Sequence, residues 1–348
     1  LIFSYCLKDL NNKQIILKMS LNLSELEESI ENGIPLNKNI CKIAAENGQL
    51  DCLQYAHEHG CPWDEIVCEK AAQYGHLDCL QYAHEHGCPW NENTCSRAVI
   101  NNKLNCFQYA LENGCPWDIN TCAYAAMNGN LECLEYAHKH GCLWNENTCA
   151  FAAESGKLLC LQYAREKGCP WDDRTCTYSA MNGNLECLKY AHTHGCPWNE
   201  RTSSYAALNG HLDCLQYVHT NGCPWNEDTC AYASENGQLE CLQYAHTHGC
   251  SWDERTCSYA ALNGKIECLR YAHENNCPWN ETTCLYASMN KYLDCLKYAH
   301  IRGCFLNKKT CLAALKTFET CDSFQNKDLN CIEYDRKNEC LNFLNNLV

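Results

Sequence analysis

From Cys41 to Cys304 the apolar and polar positions of the chain recur every 27 residues, with no insertion or deletion. The copy CAYAAMNGNLECLEYAHKHGCLWNENT, Cys122 to Thr148, shows the pattern clearly. Its two halves each carry apolar residues at helical spacing, separated by Asn-Gly-Asn. In the copy that begins at Cys41, polar Asp51, Gln54 and Glu58 stand at i, i+3 and i+7. Leu50, Leu53 and His57 form one inward line, and Cys52, Tyr55 and Ala56 another. A helix apolar over so wide an arc needs neighbours on both sides, and stacked copies supply them. Each repeat therefore reads as two short helices. The first follows the pattern W-[DN]-E-x-T: Asn91 is a good N-cap, with Glu92 at the positive end of the helix dipole. It runs through Cys95, Ala98 and Val99 and ends near Asn101 and Asn102. In eight repeats, Gly48 and Gly129 among them, this stop is a glycine suited to a left-handed position. The second helix starts at Leu131, has Glu132 in its first turn and is closed by Gly141.

Tryptophan, glycine and proline obey the same period. All nine tryptophans fall on one phase, all eight prolines on another and all 18 glycines on two. The fold class predicted is all-α: an elongated solenoid of stacked 27-residue helix-turn-helix repeats, each touching mainly its neighbours. Residues 1–23 lie outside the pattern as a leader. Residues 24–348 form the array: an N-terminal capping half-repeat at 24–40, ten repeats at 41–310 and a divergent C-terminal cap at 311–348. In the first cap Glu25, Ile30 and Ile34 replace the usual Cys, His and Cys. In the last, CIEYDRKNEC (Cys331 to Cys340) echoes a second helix, with Arg336 at the histidine phase. The tryptophan just before each first helix is expected to be a buried cover over the junction between repeats.

The net charge of −15 argues against a nucleic-acid or anionic-membrane partner, which needs clustered Lys and Arg, and leaves a basic protein surface open. No apolar run approaches the ~18 residues of a membrane span. LIFSYCLKDLNNKQ has no basic segment ahead of its apolar stretch and does not read as a signal peptide. The 34 cysteines would mean disulfides in a small secreted chain. Most of them lie instead on three fixed phases of a long helical repeat, so reduced thiols in a cytoplasmic or nuclear compartment are expected.

Those phases also raise zinc. Each repeat contains Cys-x10-Cys-x4-His-x3-Cys, as in Cys68, Cys79, His84 and Cys88, with Cys95 opening the next. Cys79 and His84 are five apart on one helix and point about 140° away from each other, which removes Cys79 from any shared site. His84, Cys88 and Cys95, with Cys68, remain a set that could converge. Against it, the histidine phase becomes Leu111 in one repeat and Arg165 in another while the cysteines stay, and Ser203 replaces a first-helix cysteine while His192 and His219 stay. On the competing reading cysteine is a small apolar filler, no metal or cofactor is bound, and leucine at His219 is tolerated. A second histidine set, His59, His86, His140, His194 and His248, alternates with Lys and Asn and reads as solvated. Catalysis finds no singular constellation: acid pairs such as Asp172-Asp173 suit helix starts, and Cys-His recurs in most repeats.

AAMNGNLECLEYAHKHGC (Ala125 to Cys142) and AALNGHLDCLQYVHTNGC (Ala206 to Cys223) resemble the core of the ankyrin repeat. That family pattern has paired alanines, Gly-His-Leu-Glu, then a second helix closed by Gly-Ala. Here Cys214, Leu215, Tyr217, Val218, His219 and Cys223 take the aliphatic places. The Thr-Pro-Leu-His signature is absent, and the repeat is about six residues short where ankyrin repeats project β-hairpin fingers, so Cys-Pro-Trp-Asn-Glu reads as a tight turn. This short Cys-Pro-Trp variety resembles long arrays encoded by giant DNA viruses, which would place it in a host-cell cytoplasm. The resemblance implies a monomeric, non-enzymatic scaffold that binds a protein partner on its concave face. It also implies recognition by the two variable residues at each first-helix end: Gln73-Tyr74, Ile100-Asn101, Met127-Asn128, Glu154-Ser155, Met181-Asn182, Leu208-Asn209, Glu235-Asn236 and Leu262-Asn263. The rival reading is a zinc-binding or thiol-buffering protein.

Overall fold

The computed structural model describes residues 22–33, 35–317 and 327–347. Of the leader expected at 1–23, residues 1–21 lie outside the described residues, as does Ile34. The described residues form helices and turns with no strand, and the helices alternate in pairs as the period demands. In one repeat the first helix is Glu92–Ile100 and the second Leu104–Glu112; four repeats later they are Glu200–Leu208 and Leu212–Thr220. The chain divides into two compact halves, Leu1–Trp171 and Asp172–Val348, built on the same plan.

First helices start where their caps dictate. Asn91 Oδ1 accepts the amide of Asn93 at 2.9 Å, and Asp64, Asn145, Asn199, Asn226 and Asn280 repeat the bond in their own repeats. The one first helix that follows WDINT departs from this. Ile119 stands where the other first helices that follow a tryptophan carry an acid, Asp118 caps the amide of Asn120, and the helix runs only over Thr121–Asn128.

Inside each half, first helices pack on first helices far more extensively than second helices pack on one another. Residue size explains the difference. Ala44, Ala45, Ala71, Ala72, Ala125 and Ala126 are fully buried, and methyl side chains let backbones come close. Second helices bury one leucine and two small residues each, as in Cys214, Leu215 and Val218, while Tyr and His fill the wider gap between them. The two ends differ from the repeats between. Leu23–Glu31, capped by Asn22, packs against the second helix Leu50–Glu58 and so occupies a second-helix place. At the C-terminus one 19-residue helix, Lys327–Asn345, replaces the short second helix, with Cys340 and Leu344 buried against the stack. Arg336 is exposed on it.

Both glycine phases have positive φ, and the three residues that replace glycine there, Asn102, Asn276 and Lys291, keep it at 54°, 65° and 63°. Gly48 is needed twice over, because a Cβ would also run into the His76 ring. Gly141, at φ 88°, has open space around a Cβ and is needed for its backbone alone. Gly141→Ala should therefore cost about 1–2 kcal/mol, and Gly141→Asn less, in urea unfolding followed by circular dichroism.

Candidate interaction surface and the links between repeats

The second helices are joined by a three-ring link. His219 stacks on Trp225 with ring centroids 4.0 Å apart and planes 12° from parallel. Its Nδ1 shares a 2.9 Å hydrogen bond with the hydroxyl of Tyr244, which belongs to the next repeat. Trp225 meets the same tyrosine edge to face at 6.5 Å. The link recurs at His57, Trp63 and Tyr82, at His192, Trp198 and Tyr217, and at His273, Trp279 and Tyr298. Each contact of this kind contributes on the order of 1 kcal/mol, and every junction makes several. The tryptophans thus do reach across junctions, but they are half-buried rather than fully buried as expected.

The exceptions show what the histidine does. Arg165 lays its guanidinium 4.2 Å from the Trp171 ring, keeping the stack without an imidazole. With Leu111 there is no ring to bond, and Tyr136 turns its hydroxyl to Glu112 at 2.9 Å. Leucine at His219 is therefore not the neutral change the sequence implied, since it would strand Tyr244. At the end of the stack His300 packs against Phe343 of the last helix.

The histidine and cysteine phases part company. His84 is committed to Trp90 at 3.7 Å. Cys68 meets Cys88, while Cys95 pairs with Cys115 in the following repeat. Among the described residues no three His, Cys, Asp or Glu side chains gather as metal ligands. The cysteines are buried, and none is in a disulfide among those described. The second histidine set is exposed, and its members fold back to cap their own helix, as His140 Nδ1 does on the Tyr136 carbonyl at 2.9 Å.

The sixteen residues expected to recognise a partner lie where first helices end, and none is buried. Their two phases behave differently. The asparagines are largely occupied: Asn209 donates to the Met181 carbonyl at 2.7 Å and Asn236 to that of Leu208 at 3.0 Å, each across a junction. Asn101, Asn128, Asn182 and Asn263 bond carbonyls of their own helix. Tyr74, 42% exposed, donates to Glu46. Gln73, Ile100, Met127, Glu154, Met181, Leu208, Glu235 and Leu262 are partly exposed in the phase before. In the second half of the chain they lie one turn beyond a row of half-buried tyrosines, Tyr178, Tyr205, Tyr232 and Tyr259, of which Tyr205 and Tyr232 stack at 6.4 Å. From sequence the tyrosine that recurs on the first helix, as at Tyr124, reads as packing between repeats, and the Tyr205–Tyr232 stack agrees with that.

Comparison with known proteins adds a likeness of low similarity. A crystal structure of the human ASB11 ankyrin repeat domain aligns over 45% of this chain and 84% of its own length, with a TM-score of 0.41 and 17% identity. No family model matches, and no curated protein matches. The helix-pair architecture rests on the geometry above.

Six of the linking histidines, His57, His138, His192, His219, His246 and His273, have pKa values held below the ordinary 6.5, chiefly because burial penalises the charged ring. A lowered folded value means that the folded state binds fewer protons than the unfolded chain once the pH drops toward 6.5. The contribution of these rings is complete above pH 6.5 and is lost as the pH falls below it. The urea midpoint should drop between pH 7.5 and 5.5, and less steeply in His219→Gln; a midpoint unchanged over that range would contradict the assignment.

Proposed function

We propose that this chain is a non-enzymatic scaffold that holds a protein partner along the ends of its first helices. The observation that carries the reading is the contrast within each repeat. At the first-helix end, Met181, Leu208, Glu235 and Leu262 vary and are partly exposed, whereas the alanines and serines just before them are small and buried. Aligned tyrosine, methionine and leucine side chains make a surface of the sort proteins use as anchors. The cleft beside the last helix, lined by Ile266, Tyr292, Asp294 and Glu339, encloses about 180 Å³, less than the clefts that usually hold metabolites. The acidic balance suits a partner that presents basic groups around an apolar centre. Thiols that stay reduced suit a cytoplasmic setting.

The test is affinity capture from cells that express the chain, comparing wild type with the triple variant Met181→Asp, Leu208→Asp, Leu262→Asp. The control places three substitutions on the exposed second-helix row, Glu186→Lys, Asp213→Lys and Glu240→Lys. Partners captured by wild type and the control should be lost, tenfold or more, from the triple variant while its helical content is unchanged. Equal capture by all three would place the binding surface elsewhere.

A further inference from the structure

The interface between the two helices of a repeat contains a chemical group that scaffolding does not use. The cysteine that closes each second helix turns its sulfur back to the start of its own first helix. Cys61 Sγ donates to the Asn37 carbonyl at 3.2 Å, Cys196 to Asp172 at 3.2 Å and Cys250 to Asn226 at 3.2 Å. The same bond is made by Cys88, Cys115, Cys169, Cys223, Cys277 and Cys304. The first-helix cysteine, 20 residues earlier, lies against this closing cysteine: Cys122 Sγ is 4.0 Å from the Cys142 carbonyl and Cys176 Sγ 3.9 Å from that of Cys196. The same two phases face each other closely enough to shift one another's ionisation in the pairs Cys41–Cys61, Cys68–Cys88, Cys230–Cys250 and Cys257–Cys277. The Thr283 hydroxyl nearby is fully buried and has no hydrogen-bond partner. Thr94, Thr121, Thr148, Thr175, Thr229 and Thr256 occupy the same phase, fully buried and equally without such a partner.

The bond from Cys284 holds the Cys304 thiol below its ordinary range against the opposing effect of burial, and the bond from Cys41 does the same for Cys61. The first-helix partners are pushed the other way, by the neighbouring thiol first and by burial second. In these two pairs the closing sulfur is the more readily ionised and its first-helix neighbour the more firmly protonated. In one repeat the pair is missing. Ser203 stands at the first-helix place, its hydroxyl donates to the Pro224 carbonyl at 3.1 Å, and Cys223 has no thiol partner there.

We propose that the paired thiols are oxidative modification sites, one in each repeat that holds both cysteines, at which a hydroperoxide converts the two cysteines to a reversible disulfide between the first and second helix. The closing cysteine, once its S–H has left the carbonyl and lost its proton, attacks the peroxide oxygen; the O–O bond breaks and hydroxide leaves, taking up that proton as water, so that the sulfur becomes a sulfenic acid. The first-helix sulfur then attacks it, the S–O bond breaks, and water departs with the thiol proton. Two thiols lose two electrons, and one hydrogen peroxide becomes two waters. A dithiol reductant reverses the change by exchange. The site deepens the scaffold reading without depending on it, because the chemistry is internal to each repeat.

The experiment uses the full chain, fully reduced and then exposed to hydrogen peroxide in native buffer. Free thiols are alkylated and non-reduced peptides mapped by mass spectrometry. Cross-links should join Cys41 to Cys61, Cys122 to Cys142 and Cys230 to Cys250, each with the loss of two hydrogens and each reversed by dithiothreitol, while Cys223 stays unlinked. Ser203→Cys should add a cross-link to Cys223. Any of three results would overturn the proposal: cross-links scattered among all three cysteine phases, cross-links that form only in denaturant, or Cys223 still unlinked in Ser203→Cys. Loss of partner capture with these cross-links intact would remove the scaffold reading alone.

Discussion

The structure depends on an imidazole held between an indole of its own repeat and a phenol of the next. First helices associate through alanine methyls at close range, and that association is general: any repeat presents the same small residues. Second helices stand further apart and touch chiefly through the linking side chains. In the second half of the chain His192, His219, His246 and His273 each bond a tyrosine 25 residues on, at 2.9 to 3.0 Å. A hydrogen bond of fixed length between adjacent copies allows one spacing and one register. This accounts for a period that tolerates no insertion, since one extra residue between His219 and Tyr244 would turn the phenol away.

The same requirement explains which changes the array accepts. Arg165 can replace histidine because a guanidinium also stacks on an indole. Leu111 is accepted because Glu112 receives the freed tyrosine hydroxyl. Asn102, Asn276 and Lys291 can replace glycine because φ stays positive at each. Ser203 keeps a donor where the thiol was. Each exception retains the physical function of the position and gives up only its residue type.

Much of this was legible in the sequence because a repeat shows its own tolerated variation. Helix bounds, caps and the left-handed turns follow from Asn91, Glu92, Gly129 and Gly141 almost to the residue, since local backbone chemistry determines them. The late start of the helix at Thr121 was not anticipated; it reflects the loss of one acidic residue at Ile119. Filler was the favoured reading of the cysteines, and their burial agrees with it, but three phases of cysteine look alike in a sequence. Only the antiparallel return of the second helix brings the closing sulfur to the first-helix thiol, 20 residues away. The tie between His219 and Tyr244 was hidden for a similar reason, because facing partners in neighbouring repeats carry no local pattern. The surface at the first-helix ends was named by analogy, and half of it, the asparagine phase, is used inside the array.

The central claim is that the imidazole–phenol bond couples one repeat to the next. A double-mutant cycle on His219→Leu and Tyr244→Phe, read by urea unfolding at pH 7.5, tests it most directly. The account predicts a coupling energy of about 1 kcal/mol, with each single change costing more alone than in the presence of the other. Additivity within about 0.3 kcal/mol would contradict it and leave the helix-to-helix packing of alanines as the tie that holds the repeats in line.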